Sequence, residues 1–203
     1  MKKLILASNN KKKIKEMKDI LKELDIEVKS LEDENINIDV VEDGKTFEEN
    51  AKKKAKEIYE FLLKRGDENF IVLADDSGLT VDYLGGEPGI YSARYSGEHG
   101  NDKKNNEKLL NNLKGVSIEN RGAKFICQLA MFTDKGEYFS VLGDVRGYII
   151  EELQGEGGFG YDPLFFYEPL SKTFGELSPE EKNKISHRGL ALKELKRILY
   201  KLI

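Results

Sequence analysis

The sequence predicts an α/β fold built on one largely continuous, mixed sheet flanked by helices. Three observations carry this reading. Short apolar runs at residues 4–7 and 70–73 alternate with stretches of helical periodicity. Two long β-rich runs, 123–133 and 137–150, are joined by Asp134-Lys135-Gly136, which reads as a hairpin and implies antiparallel pairing. No internal repeat, low-complexity tail or linker divides the 203 residues, so residues 1–203 read as a single domain.

The elements follow in order. Residues 4–7 form a first strand. Ser8-Asn9-Asn10 supplies helix-cap chemistry, and a helix runs to about Leu24 with Ile14, Met17, Leu21 and Leu24 on one face. Residues 26–28 are a short strand, and 31–45 an acidic, loop-rich segment. Thr46-Phe47-Glu48-Glu49 is a capping box. The helix it opens turns Ala51, Ala55, Ile58, Phe61 and Leu62 inward and stops near Gly66. Phe70-Ile71-Val72-Leu73 is a buried strand that Ser77-Gly78 is expected to end, with another strand over 79–84. Residues 85–89 form a loop, and a helix spans about 102–114. After the hairpin come a glycine-rich loop at 155–160 and a short strand at 164–167. Ser178-Pro179-Glu180-Glu181 starts a helix, and the last helix covers about 189–202.

Composition narrows the function. The chain is 39% hydrophobic, enough for a sizeable core, and carries a formal net charge of -4. That balance, with a pI near 5.5, argues against a general nucleic-acid or membrane binder. Cys127 is the only cysteine and reads as a small buried residue, so no intrachain disulfide forms. With His99 and His187 alone, no His/Cys zinc site can be assembled in one chain. The start, Met1-Lys2-Lys3-Leu4-Ile5-Leu6-Ala7, imitates a leader but has too short an apolar stretch, and no run approaches membrane-spanning length. The expectation is a cytoplasmic protein.

Four segments carry chemistry. Asp75 and Asp76 are two carboxylates at the predicted carboxyl end of a strand, where open α/β sheets place ligands. Such a pair suits Mg²⁺, which takes oxygen ligands and keeps several waters. Ser8, Asn10 and Lys13 sit where a helix N-terminus offers free N–H groups to phosphate, although the glycine frame of a Walker loop is absent. Gly155-Glu156-Gly157-Gly158-Phe159-Gly160 matches G-x-G-x-x-G but enters a strand. It reads as a backbone cradle with Phe159 or Tyr161 available to stack on a base. Lys182, Lys184, Ser186, His187 and Arg188 lie between two helical segments and offer phosphate and purine-edge contacts, with Arg94 as one more cation.

Taken in order, these segments resemble the inosine/xanthosine triphosphate pyrophosphatase family. The matching stretches are Ser8-Asn9-Asn10-Lys11-Lys12-Lys13, Thr46-Phe47-Glu48-Glu49-Asn50-Ala51, Ala74-Asp75-Asp76-Ser77-Gly78-Leu79, Gly85-Gly86-Glu87-Pro88-Gly89-Ile90-Tyr91-Ser92-Ala93-Arg94-Tyr95, Gly157-Gly158-Phe159-Gly160-Tyr161-Asp162-Pro163 and Ile185-Ser186-His187-Arg188. The resemblance implies an elongated two-lobed fold around a mixed, twisted central sheet, with the active site in the cleft. It implies a homodimer that hydrolyses dITP, ITP and XTP to the monophosphate and pyrophosphate with Mg²⁺. Asp76 matches the catalytic, metal-binding aspartate. Ser8, Asn9, Asn10 and Lys13 match the N-terminal substrate loop, and Ser77 a substrate contact. Phe159, Gly160, Tyr161 and Asp162 match the base-side loop; Lys182, His187 and Arg188 match the C-terminal purine and phosphate contacts. Two positions depart from the family pattern. Asn9 stands where glycine is common, and Val41 where an acidic metal ligand is common, which leaves Glu42 as the candidate second ligand.

Overall fold

The structure, a computed structural model, describes residues 2–203; Met1, at the head of the leader-like start, lies outside them. The elements in chain order are β1 (Lys3–Leu6), α1 (Lys11–Leu21), β2 (Glu27–Ser30), α2 (Phe47–Arg65), β3 (Phe70–Val81), α3 (Asp102–Asn112), β4 (Gly122–Thr133), β5 (Tyr138–Ile149), β6 (Phe165–Tyr167), β7 (Lys172–Thr173), α4 (Pro179–Ile185) and α5 (His187–Leu199). Among the described residues the strands form a seven-stranded sheet in the order β2-β1-β3-β4-β5-β6-β7. β1 pairs in parallel with β2 and β3, each time across an intervening helix. β6 is antiparallel to β5 and to β7, so the sheet is mixed, as the sequence predicts. The Thr133 N–H donates to the Glu137 carbonyl and closes the hairpin foreseen at 134–136.

The chain divides into two compact units. The first takes the chain as far as Asp76, with Cys127–Gly143 and Arg188–Ile203. Alternation along its strands sends side chains to two faces. On one face Leu4, Leu6, Ile71, Leu73, Cys127, Leu129 and Met131 pack with Met17 and Leu21 of α1 and Ala191, Leu192, Leu195 and Leu199 of α5. On the other, Ile5, Phe70, Val72, Ala74, Ala130 and Phe132 pack with Ala51, Ala55, Ile58 and Leu62 of α2. The second unit, Ser77–Ile126 with Asp144–His187, is built around Leu79, Val81, Leu109, Phe125, Phe165 and Phe174.

Several boundaries differ from the sequence reading. β3 does not stop at Ser77-Gly78; it runs on to Val81 and is followed by a 3-10 turn at Asp82–Leu84, where a separate strand was expected over 79–84. The turn preference of Ser-Gly yields because β3 lies between β1 and β4, and sheet context overrides local propensity. α1 ends at Leu21, three residues early, since Leu24 turns back to the Leu21 carbonyl on the way to β2. α5 begins at His187, so His187 and Arg188 open a helix while Lys182 lies inside α4. The Ser178 and Glu181 capping box forms as read.

Candidate active site

Within the first unit, successive residues of β3 serve opposite faces of the sheet. Asp75 follows Ile71 and Leu73 toward α1 and α5. Its Oδ1 accepts from Lys13 Nζ at 2.7 Å, and its Oδ2 accepts from Arg188 Nε at 2.9 Å and from the Cys127 thiol at 3.1 Å. Arg188, 1% exposed, also donates through Nη1 to Glu16. Burial disfavours the Asp75 carboxylate, but the Arg188 and Lys13 charges outweigh it and hold its pKa well below the usual carboxylate range. The same burial, with Asp75 alongside, pushes the Cys127 thiol up, so it is no nucleophile.

Asp76 follows Phe70, Val72 and Ala74 toward α2. Lys54 Nζ stands 3.5 Å from Asp76 Oδ1, 2.6 Å from Glu42 Oε1 and 2.8 Å from the Asp75 carbonyl. Asp76 Oδ2 is buried with no hydrogen-bond partner among the described residues. Burial raises the Asp76 pKa; Lys54 and Lys13 offset this in part. Lys54 is also buried, yet Asp76 and Glu42 hold it protonated above the usual lysine range. The arrangement is uneven: the ammonium has two carboxylates, while the one ion pair of Asp76 among the described residues is the longer contact to Lys54. Asp75 and Asp76 therefore do not form the paired-carboxylate site expected from their adjacency. The acid that shares Lys54 with Asp76 is Glu42, whereas Val41 is 68% exposed.

α2 itself holds Glu42 in place. Lys53 pairs with Asp43 at 2.6 Å, Asn50 Oδ1 accepts from the Gly44 N–H at 2.8 Å, and Glu49 accepts from the Lys45 N–H. A Cβ on Gly44 would lie 2.7 Å from Asn50 Oδ1. Among the described residues no group of three or more His, Cys, Asp or Glu side chains forms a metal cage. Asp76 and Glu42 nonetheless fit Mg²⁺, which takes one or two carboxylates and completes its shell with water and substrate oxygens. The unpartnered Asp76 Oδ2 is the oxygen such an ion would satisfy.

At the N-terminus of α1, Ser8 Oγ accepts from the Asn10 N–H, and Asn10 caps the helix by accepting from Lys12 and Lys13 N–H. Asn9 is exposed and avoids the left-handed region: among the described residues, non-glycine positive φ is confined to Asn35, Asn69 and Ser171. Asparagine in place of glycine there carries no backbone strain.

The second unit gathers the remaining sequence-read residues. Asp162 is buried, accepts from the Phe159 N–H at 2.8 Å and pairs with Lys182 Nζ at 2.6 Å. The Lys182 ammonium lies 4.8 Å from the centre of the Phe159 ring. Gly158 has φ +70°, and a Cβ there would stand 2.0 Å from Asp162 Oδ2, so only glycine fits beneath this pair. Tyr161 is a core residue whose hydroxyl donates to the Ser92 carbonyl at 2.8 Å, whereas Phe159 is half-buried. His187 is buried and stacks on Phe125 with centroids 4.7 Å apart. Ser77 is half-buried on β3, and Arg94 lies over the Tyr91 ring.

Sequence reasoning missed Lys54, Glu16 and Cys127 as partners of the two aspartates. A signal for Lys54 existed: it falls on the inward stripe of Ala51, Ala55 and Ile58, where a charged residue needs a buried partner. The Arg188 Nε and Nη1 donors are engaged by Asp75 and Glu16.

The model of the Ham1 family matches residues 4–198. A dITP/XTP pyrophosphatase of Clostridium perfringens is 60% identical over 196 residues, covering 97% of this chain and 96% of that protein. One of Bacillus subtilis is 48% identical over 199 residues, with 98% of each covered. Among solved structures, the Staphylococcus aureus Ham1 protein superposes with a TM-score of 0.86 at 42% identity, covering all of both chains. A nucleoside-triphosphatase/dITP/XTP pyrophosphatase of Mycobacterium abscessus gives a TM-score of 0.74 at 42% identity, over 95% of this chain and 98% of that one.

Proposed function

The chain belongs to the Ham1 family, and from that premise we propose that it hydrolyses the non-standard purine nucleoside triphosphates dITP, ITP and XTP to monophosphate and pyrophosphate. The observation that carries the chemistry is the asymmetry of Asp76. It is a buried carboxylate with one oxygen unpartnered among the described residues, beside Glu42 and an ammonium. A carboxylate in that state is suited to hold a cation on one oxygen and to orient a water with the other.

In the proposed reaction the water oxygen attacks the α-phosphorus and its proton passes to Asp76 Oδ1, the oxygen that remains when Oδ2 holds the ion. The bond from the α-phosphorus to the bridging oxygen breaks, and pyrophosphate leaves with the electron pair. Mg²⁺, held by Asp76 and Glu42, would neutralise triphosphate charge and lower the pKa of a bound water. Lys54 keeps the two carboxylates at fixed separation. Lys13, anchored on Asp75, and the N–H groups at the start of α1 supply positive potential for phosphate oxygens. Catalysis of this type is mostly positioning and electrostatics. Phe159 offers a face to the base. His187 and loop N–H groups supply donors that favour a 6-oxo over a 6-amino purine. Arg188 acts from behind, by holding Asp75.

The reading extends to Mg²⁺ dependence, a homodimer and a cytoplasmic location, which rest on the family resemblance. Among the described residues no helix is long and apolar enough to cross a membrane. The test is pyrophosphate release from ITP, XTP, dITP, GTP and ATP, with and without Mg²⁺. Mg²⁺-dependent release from the inosine and xanthosine nucleotides, far above that from ATP and GTP, is expected. Equal turnover of all five, or none, would overturn the reading.

A further inference from the structure

We propose that Asp102 and Asn106 of α3 are positioning residues for nucleobase binding, acting through the Gly160 peptide; the proposal rests on the reading of 159–162 as the base-side loop. The two side chains grip Gly160 at both of its polar groups. The Gly160 N–H donates to Asp102 Oδ2 at 3.0 Å, and the Gly160 carbonyl accepts from Asn106 Nδ2 at 2.9 Å. Their i, i+4 spacing sets them one above the other on a single helix face. Gly160 has φ +62° and open space where a Cβ would be, so packing does not hold it. The adjacent peptide is fixed by Asp162, which accepts from the Phe159 N–H. The clamp from α3 therefore completes the frame that sets the Phe159 ring.

Stability alone does not account for the amide at 106. Asn106 is buried, and its Oδ1 has no hydrogen-bond partner among the described residues. An orphaned buried acceptor costs about what one hydrogen bond contributes. A leucine of similar size would fill the space without that cost but would release Gly160. The cap of α3 does not need these residues either, since Asn101 Oδ1 accepts from the Lys104 N–H.

The experiment compares wild type with Asn106→Leu, Asn106→Asp and Asp102→Asn by calorimetric binding of IMP and of tripolyphosphate, alongside thermal unfolding. Asn106→Asp keeps the shape but sets a carboxylate oxygen against the Gly160 carbonyl. Both Asn106 variants are expected to weaken IMP about tenfold, with tripolyphosphate binding unchanged. Asp102→Asn retains an acceptor and should lose less; it also serves if an Asn106 variant fails to fold. IMP affinity at the wild-type level, or equal losses for both ligands, would overturn the proposal. Failure of the wild-type protein to bind IMP at all would instead overturn the reading on which it rests.

Discussion

Asp75 and Asp76 are neighbours in sequence, yet they face opposite sides of one strand and do different work. Asp75 is saturated by Lys13, Arg188 and Cys127 on the face covered by α1 and α5. Asp76 faces α2, near Lys54 and Glu42, with one oxygen unpartnered. The pleat of β3 imposes this division, because side chains alternate with a period of two. Asp75 is thus scaffold, and Asp76 is the group left with chemical capacity.

Removing the Asp75 charge should unfold the protein more readily than it changes chemistry. Asp75→Asn takes one of its two acids from buried Arg188, leaving Glu16, and the expected loss is about 3 kcal/mol in urea unfolding at neutral pH. The sign with pH follows from the depressed folded pKa. The unfolded state binds the extra proton, so stability from Asp75 is present above about pH 4 and fades as pH falls through the folded value. The wild-type advantage over Asp75→Asn should therefore narrow on acidification. An advantage independent of pH would contradict the assignment.

Lys54 lowers the Asp76 pKa against the burial that raises it. Lys54→Ala removes that cation and should raise the Asp76 pKa further. The acid limb of kcat/KM for ITP is expected to move to higher pH, together with a loss in turnover. An unshifted limb would mean that another group is the base.

Phe159 is half-buried beside Lys182, whereas Tyr161 is a core residue tied to Ser92, so Phe159 is the aromatic proposed to meet the base. Phe159→Leu keeps an apolar side chain but loses the stacking face. KM for ITP should rise about tenfold with kcat less affected. An unchanged KM would place base stacking elsewhere.

Much of this fold was legible in the sequence because its caps and periodicities agree with it. Asn10, Thr46, Ser178 and Gly66 mark helix ends where the structure has them. What escaped depends on tertiary partners. Ser77-Gly78 has the composition of a turn, but a strand between β1 and β4 continues through it. β7 is two residues long and carries no period to read. Asp76 stands out in the sequence through its motif, whereas the face it uses follows only once β3 is seen to continue. Lys54 and Glu16 approach the aspartates from distant positions in sequence, and spacing alone does not announce such contacts.

The most direct test of the division between the two aspartates is ITP turnover by Asp76→Asn, measured with IMP binding on the same preparation. A folded variant that binds IMP normally and has lost at least about a hundredfold in turnover is the predicted result. An Asp76→Asn protein that hydrolyses ITP at the wild-type rate would contradict the account.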